Sequence, residues 1–345
     1  MKIARIRHDG LDGAEARIVA TSDGTVWVDV RIAERLRVER LGATADAARR
    51  LAATVVPGSL TAALQNGPLF REALVAAVAT APAEAAVGPD PRFLAPIDPP
   101  AYRDFMSFEQ HFRSSYDRAG IPVPDVLYEL PVSYMGSAQA VVGPEDEVVW
   151  PGYSQHLDYE LELGIVIGRD GRDLTPVQAL DHVLGVTLLN DFSARDIQFR
   201  EMAGRLGPSK GKHFANAVGP CIATLDAIDP SALEMEARIN GETWSSNTTA
   251  TMLWSIAELV AWASAGEPLV AGTLLGSGTI GGGTGFDLGR QLADGDVVEL
   301  EMTGVGVLRN RVVAARQPGW QPSPRQAPAD RSTTVSRAEP RPAVQ

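Results

Sequence analysis

The sequence predicts an α+β protein, mainly β, in which a small N-terminal α+β domain precedes a larger strand-rich domain. Three observations predict it. From Ala101 to about Arg316, short strand-like runs and Gly-rich turns mix irregularly with a few helical stretches, and no regular βα repeat appears. Within that region Tyr159, Leu161, Leu163, Ile165 and Ile167 alternate with Glu160 and Glu162, the period of a strand. A Pro-rich joint, Gly88-Pro89-Asp90-Pro91 through Pro96, Pro99 and Pro100, separates the region from what precedes it. At 345 residues and 45% hydrophobic content, the chain can build two domains and a sizeable core.

Residues 1–95 read as the small domain. Strand-like pieces at Lys2 to Arg7, Ala16 to Ala20 and Thr25 to Val30 are broken by Gly and Asp turns. Ala-rich helices follow near Thr44 to Ala53 and Phe70 to Thr80, and nothing in them carries chemistry. Residues 96–316 read as the larger, strand-rich domain. Residues 317–345, rich in Pro, Ser, Arg and Ala with few large apolar side chains beyond Trp320, read as a disordered tail.

Composition removes several function classes. The net charge of −12, from 31 basic against 43 acidic residues, argues against nucleic-acid binding by a basic surface. A single cysteine, Cys221, excludes an intrachain disulfide and suits a core position among Val218, Ile222 and Ala223. The stretch Met1 to Asp9 has no apolar signal-like run, and no segment approaches roughly 18 uninterrupted apolar residues. The expectation is a cytoplasmic protein without a membrane partner.

The chemistry concentrates in a few stretches. In a strand, Glu160 and Glu162 share a face with Asp158, their roots roughly 7 Å apart. The strand runs on into Ile165-Val166-Ile167, apolar on both faces, which points to burial on both sides. Crowded carboxylates in a buried place repel and are costly to desolvate, and a cation offsets both penalties. Oxygen donors without Cys or His favour Mg²⁺, Ca²⁺ or Mn²⁺ over zinc; the alternative is a polar strand face turned to water or to arginine partners. Asp191 ends the mostly apolar run from Val183 to Leu189, and Arg195 and Gln198 share one face of a helix if one starts there. Ser193 or Asp191 could equally cap that helix. Gly207 to Phe214 is a Gly-rich turn carrying Lys210 and Lys212, without phosphate-loop spacing. Gly276-Ser277-Gly278-Thr279-Ile280-Gly281 matches G-x-G-x-x-G, but more glycines stand where a helix should begin, so it reads as a tight loop allowing close backbone approach. Asp104 stands seven residues before His111, a histidine that could act as a general base near neutrality.

Taken together these stretches resemble the fumarylacetoacetate hydrolase family, over about Ala101 to Arg309. Glu160-Leu161-Glu162 resembles the family's paired-glutamate metal motif, and Asn190-Asp191-Phe192-Ser193-Ala194-Arg195-Asp196 resembles its metal-aspartate motif. Asp104 and His111 resemble the fourth carboxylate and the catalytic histidine; Gly211-Lys212 resembles the active-site lysine segment. The resemblance implies a mixed β-roll catalytic domain, usually a homodimer, and a Mg²⁺ site (Ca²⁺ or Mn²⁺ also compatible) held by Asp104, Glu160, Glu162 and Asp191. It implies catalytic roles for His111, Lys212, Arg195 and Gln198, and substrate contacts at Tyr134, Thr279 and Met106. There are departures. Ser114 stands where many bacterial relatives carry the glutamate partner of the histidine, and Gly281 to Phe286 stands where fumarylacetoacetase inserts one. No acidic partner for His111 is therefore named. Met106 replaces an aromatic contact, which turns the expectation away from fumarylacetoacetate itself.

The activity implied is metal-dependent hydrolysis of a C–C bond in a 1,3-diketo acid or acylpyruvate, a small-molecule substrate. The same site also suits a 2-oxo-acid decarboxylase or a tautomerase (isomerase), because each passes through an enolate. A reading from another class is a non-catalytic binding module stabilised by a cation, against which stand the reactive side chains beside the carboxylates.

Overall fold

The computed structural model describes residues 1–10 and 13–325. The chain opens with strands β1 (Lys2–Gly10), β2 (Gly13–Thr21) and β3 (Val28–Asp29), then helices α1 (Val30–Arg40), α2 (Ala45–Val55), α3 (Leu60–Gln65) and α4 (Pro68–Thr80). β4 (Phe93–Leu94), β5 (Tyr102–Phe105), α5 (Glu109–Ala119), α6 (Val126–Glu129), β6 (Ser133–Gly136), β7 (Val141–Val142) and β8 (Glu147–Trp150) follow. Then come β9 (Leu157–Asp158), β10 (Glu160–Ile167), α7 (Pro176–Ala179), β11 (Val183–Asp191), β12 (Ser193–Ala194), α8 (Arg195–Met202) and β13 (Asn216–Thr224). The chain closes with β14 (Glu234–Ile239), β15 (Glu242–Thr248), α9 (Ile256–Ser264), β16 (Leu274–Thr284), α10 (Gly285–Leu288), β17 (Val297–Met302) and β18 (Gly306–Ala314). The α+β, strand-dominated class is as expected.

Two of the early expectations change. Thr25 to Val30 is not a full strand: β3 is two residues, and Asp29 starts α1 by accepting a hydrogen bond from the Ile32 amide at 3.0 Å. The branched residues Val30, Ile32 and Val38 hid that helix, since they favour strands on propensity alone. The Pro-rich joint is not a bare linker, because β4 lies in it and pairs with Arg5 and Ile6 of β1. Phe93 there packs edge-on to Trp27 at 5.5 Å. The division expected at residue 95 is also crossed by hydrogen bonds, Lys2 and Ile3 pairing with Ala223 and Ile222 of β13. The expected tail lies outside the described residues from 326 onward, and 317–325 carry no helix or strand.

The main sheet runs β3-β2-β1-β13-β11-β10-β16-β5-β6, with β4 and β7 attached beside it. A second sheet, β15-β14-β17-β18-β8, packs on one face. There Leu161, Leu163 and Ile165 meet Ala237, Leu300 and Leu308 in one apolar core. On the other face Val166, Leu189 and Leu274 join a core made with α1, α3 and α4. Every residue of β10 is buried, so a truncation such as Ile165→Ala removes contacts in a close-packed interior, at about 2–5 kcal/mol. The order β11-β10-β16-β5 sets side by side the strands that carry the acidic residues.

The G-x-G-x-x-G segment is not a loop. It lies inside the eleven-residue β16. Its glycines do allow close approach: a Cβ on Gly276 would meet Asp104 Oδ1 at 2.2 Å and Glu162 Oε2 at 2.9 Å. Gly278 has φ +79° and its Cβ would meet the Phe105 carbonyl oxygen at 2.4 Å. Glycine is needed here to bring strand backbone against carboxylates.

Candidate active site

Asp104 lies near the end of β5, opposite Gly276 of the parallel neighbour β16. Glu160 opens β10, a register shift against β16 follows it, and Glu162 comes two residues on. Asp191 closes β11. Each offers one carboxylate oxygen, and these four atoms lie within 4.8 Å of one another, all on buried residues. Among the described residues this is the group able to hold a metal ion.

Two buried cations meet this floor. Lys212 Nζ lies 2.8 Å from Glu160 Oε2 and 2.5 Å from Asp191 Oδ2. Arg195 Nη1 donates to Glu160 Oε1 at 2.7 Å and to Gln198 Oε1 at 3.0 Å, while its Nε donates to Asp158 at 2.8 Å. Tyr134 donates to Asp191 Oδ2 at 2.5 Å, and Thr279 to Glu162 Oε1 at 3.2 Å.

The charges are uneven. Burial would raise the Glu160 pKa, but Lys212 and Arg195 outweigh it and hold that carboxyl below its ordinary range. Burial and then the neighbouring Asp104 charge push Glu162 well above its own. Asp104 is raised by burial and by Asp191; Asp191 is raised by burial against the pull of Lys212. Lys212 moves up despite burial, because Asp191 and Glu160 face it, so it stays an ammonium. Asp104 Oδ1, Glu162 Oε2 and Asp191 Oδ1 have no hydrogen-bond partner. With Asp158 included, five buried carboxylates face two buried cations. An all-oxygen donor set, short of positive charge and with unpartnered oxygens, fits a hard divalent cation.

His111 sits in the first turn of α5, and its Nδ1 lies 2.9 Å from Asp287 Oδ2. With a carboxylate as acceptor, Nδ1 is the donor, and in the neutral imidazole this leaves the lone pair on Nε2. This is the acidic partner that no sequence spacing named; it comes from α10, 176 residues away. Asp287 is held there because its own amide donates to Thr284 Oγ1 at 2.8 Å, an ordinary helix cap visible as Thr284-Gly285-Phe286-Asp287.

Asp158 stands apart from the acidic floor. A break at Tyr159 ends β9 before β10 begins, and Asp158 turns to Arg195 and to the backbone amides of Gly285 and Phe286, at 2.8 and 3.1 Å. A Cβ on Gly285 would sit 2.7 Å from Asp158 Oδ1, so the bare glycine admits the carboxylate. Asp158 thus links the arginine on Glu160 to the turn that carries Asp287. Neither Ser193 nor Asp191 caps α8: its cap position is Ala194, and Ser193 Oγ donates to the Asp191 carbonyl instead.

These groups open into one cavity of about 480 Å³. Asp104, Glu160, Glu162, His111, Arg195, Gln198, Lys212, Tyr134, Thr279 and Met106 all line it. Asp191 lies behind, reached through Lys212 and Tyr134. The resemblance-based candidates therefore come together around a single space. Cys221, by contrast, is buried in the core, donates to the Val305 carbonyl oxygen, and has its thiol pKa pushed up by burial to about 11. No helix among the described residues is long and apolar enough to cross a membrane.

The family model for the C-terminal domain of fumarylacetoacetate (FAA) hydrolase matches residues 101–313. The human mitochondrial oxaloacetate tautomerase FAHD2A is 32% identical over 271 residues, 75% of this chain and 81% of its own. The Bacillus subtilis oxaloacetate tautomerase YisK is 33% identical over 209 residues, 60% of this chain and 67% of its own. Among solved structures, a fumarylacetoacetate hydrolase from Exiguobacterium antarcticum superposes with a TM-score of 0.64 at 30% identity, over 91% of this chain and 100% of that one. A 5-carboxymethyl-2-hydroxymuconate delta-isomerase from Mycobacterium smegmatis gives 0.62 at 25% identity, over 92% and 100%.

Proposed function

We propose, from the premise that the chain belongs to the fumarylacetoacetate hydrolase family, that it hydrolyses the C–C bond of an acylpyruvate-type 2,4-dioxo acid with the help of a divalent cation. The observation that carries the choice of hydrolysis is the His111–Asp287 pair at 2.9 Å, in the same cavity as the carboxylate floor. Water activation needs a base that is oriented as well as present.

Asp104, Glu160, Glu162 and Asp191 would hold the cation, Mg²⁺ first and Mn²⁺ or Ca²⁺ by the same oxygen chemistry. Once bound, it supplies Lewis-acid polarisation of the 2-oxo acid head. His111, its Nδ1–H tied to Asp287, takes a proton from water through Nε2, and the oxygen adds to the acyl carbonyl carbon. Gln198 has its oxygen held by Arg195, which leaves its amide N–H groups to donate to the developing oxyanion. Lys212 uses two of its three protons on Glu160 and Asp191 and has one left for the same task. The C–C bond breaks, its electron pair leaves with the methylene carbon as the enolate of pyruvate, and a proton returns to that carbon. One water is consumed, and a carboxylic acid and pyruvate are released. Arg195 acts here as the holder of Glu160 and Gln198, while Tyr134, Thr279 and Met106 border the substrate.

A second reading, tautomerisation of a 2-oxo acid, is favoured by the two relatives named oxaloacetate tautomerases. The same base would then remove a proton from carbon instead of water. Product analysis with Mg²⁺ and Mn²⁺, on acylpyruvates and oxaloacetate, separates them. Equimolar pyruvate and free acid support hydrolysis. Keto–enol conversion without fragments supports the tautomerase, CO₂ release a decarboxylase, and no turnover of any compound overturns all three.

A further inference from the structure

The cavity is larger and more apolar than its floor requires. Away from the carboxylates its wall is formed by Met106, Ile121, Val132, Phe199, Met202 and Phe286. Ile121, Phe199 and Met202 are 52%, 45% and 41% exposed, which leaves apolar surface uncovered at the mouth. We propose that the substrate carries an uncharged apolar group, a medium-length alkyl chain or an aryl ring, beyond its 2,4-dioxo acid head, and that this wall selects it over a short diacid. This rests on the functional reading above and specifies the substrate of that same site.

Size is the first argument. About 480 Å³ lies within the roughly 300–1,000 Å³ that holds a drug-sized ligand, so a compound as short as oxaloacetate would fill a minor part of it. Charge is the second. Both buried cations already face carboxylates, Lys212 on Glu160 and Asp191, and Arg195 on Asp158 and Glu160. A distal carboxylate set against Ile121, Val132, Phe199 and Met202 would face apolar side chains, and the neighbouring Ser115, Tyr116 and Ser133 offer it no countercharge. The further guanidinium on the cavity lining is that of Arg205, an exposed residue. Shape is the third. Phe199 and Phe286 pack at 5.3 Å with their rings tilted by 53°, and Arg118 and Arg195 stack on Phe286. That fixes one aromatic flank, while Phe199 keeps surface open.

The test is a matched substrate series with the full chain and Mn²⁺: acetylpyruvate, butanoylpyruvate, hexanoylpyruvate and benzoylpyruvate, against oxaloacetate and the ω-carboxylate analogue of hexanoylpyruvate. The expected result is a rise in kcat/KM from acetyl to hexanoyl of about fourfold per methylene, the fold-change for burying one. The ω-carboxylate should fall below acetylpyruvate. Met202→Lys should reverse the ratio of hexanoyl to ω-carboxylate. Equal or better rates with oxaloacetate or the ω-carboxylate overturn the proposal, the more so if Arg205→Ala removes that preference. Should no compound turn over, the functional reading fails and the cavity is judged by binding alone. Calorimetry with uncleavable 2-oxooctanoate, 2-oxobutyrate and 2-oxoglutarate then decides: tightest binding of 2-oxooctanoate supports the apolar subsite, and tightest binding of 2-oxoglutarate refutes it.

Discussion

On the floor of the cavity, Asp104, Glu160, Glu162 and Asp191 project from β5, β10 and β11, strands of the main sheet that lies between two apolar cores, and all four are buried. On its wall, Ile121 follows the end of α5 and Phe199 and Met202 lie on α8, half-exposed and outside the sheet. The floor is rigid because moving it would disturb close-packed layers on both faces. The wall answers only to its own few contacts. In the proposed function, chemistry falls to the part of the molecule least free to move, and substrate choice to the part most free.

The sharpest break of this contrast is on the floor. Glu162→Gln should lower turnover by roughly 10³-fold or more, on the scale of losing a principal electrostatic stabiliser, and should abolish Mn²⁺ binding in calorimetry. A variant that stays active with undiminished Mn²⁺ affinity would end the cation-site reading. At the boundary between floor and wall, His111→Ala should cost roughly 10²–10⁴-fold in kcat while leaving Mn²⁺ affinity in place. Asp287→Asn should cost about 10²-fold, and combining it with His111→Ala should slow the enzyme no further, which steady-state kinetics of the double variant checks.

Asp158→Asn sharpens the comparison. It reaches the floor only through Arg195 and the wall only through the backbone amide of Phe286, so its loss should be smaller, roughly 10–100-fold as for partners that orient a ligand, and seen in kcat more than KM. Next is a dependence on pH. Folded-state pKa values of Asp104 and Glu162 lie above ordinary carboxyls, mainly through burial. These two groups therefore favour the cation-free fold most below the ordinary carboxylate range, and that contribution is lost as pH rises through the raised values. A bound cation removes the penalty. The gap in Tm between Mg²⁺-loaded and EDTA-treated protein should widen from mildly acidic to mildly alkaline pH, and a constant gap would contradict it. The smallest effect belongs to Cys221: with its thiol raised to about 11 and buried, a disulfide reagent should leave native protein unmodified and turnover unchanged.

The same contrast decides what could be read from the chain alone. Floor residues announce themselves because a carboxylate in an apolar alternating run, as at Glu160 and Glu162, is conspicuous against its surroundings. Asp104 and His111 needed the family resemblance to gain meaning. Asp287 was invisible because the pairing joins two short helices far apart in the chain, and an aspartate in a first turn has an ordinary capping explanation. Ile121, Phe199 and Met202 are unremarkable as letters, and only the fold shows them turned toward a cavity. α1 is hidden in the sequence for a local reason, its branched side chains, and the glycines of β16 read as a loop because their real constraint is the neighbouring Asp104 carboxylate.

Asp158 has a consequence for how this molecule can be rebuilt. Its carboxylate is shared between Arg195, which grips a residue of the floor, and two amides of the turn that bears Asp287. Deleting or remodelling that turn to discard the partner of His111 would strand a buried anion short of donors, a penalty felt by the whole fold. The partner of His111 and the floor are in that sense one unit, and a change of wall residues leaves that unit intact.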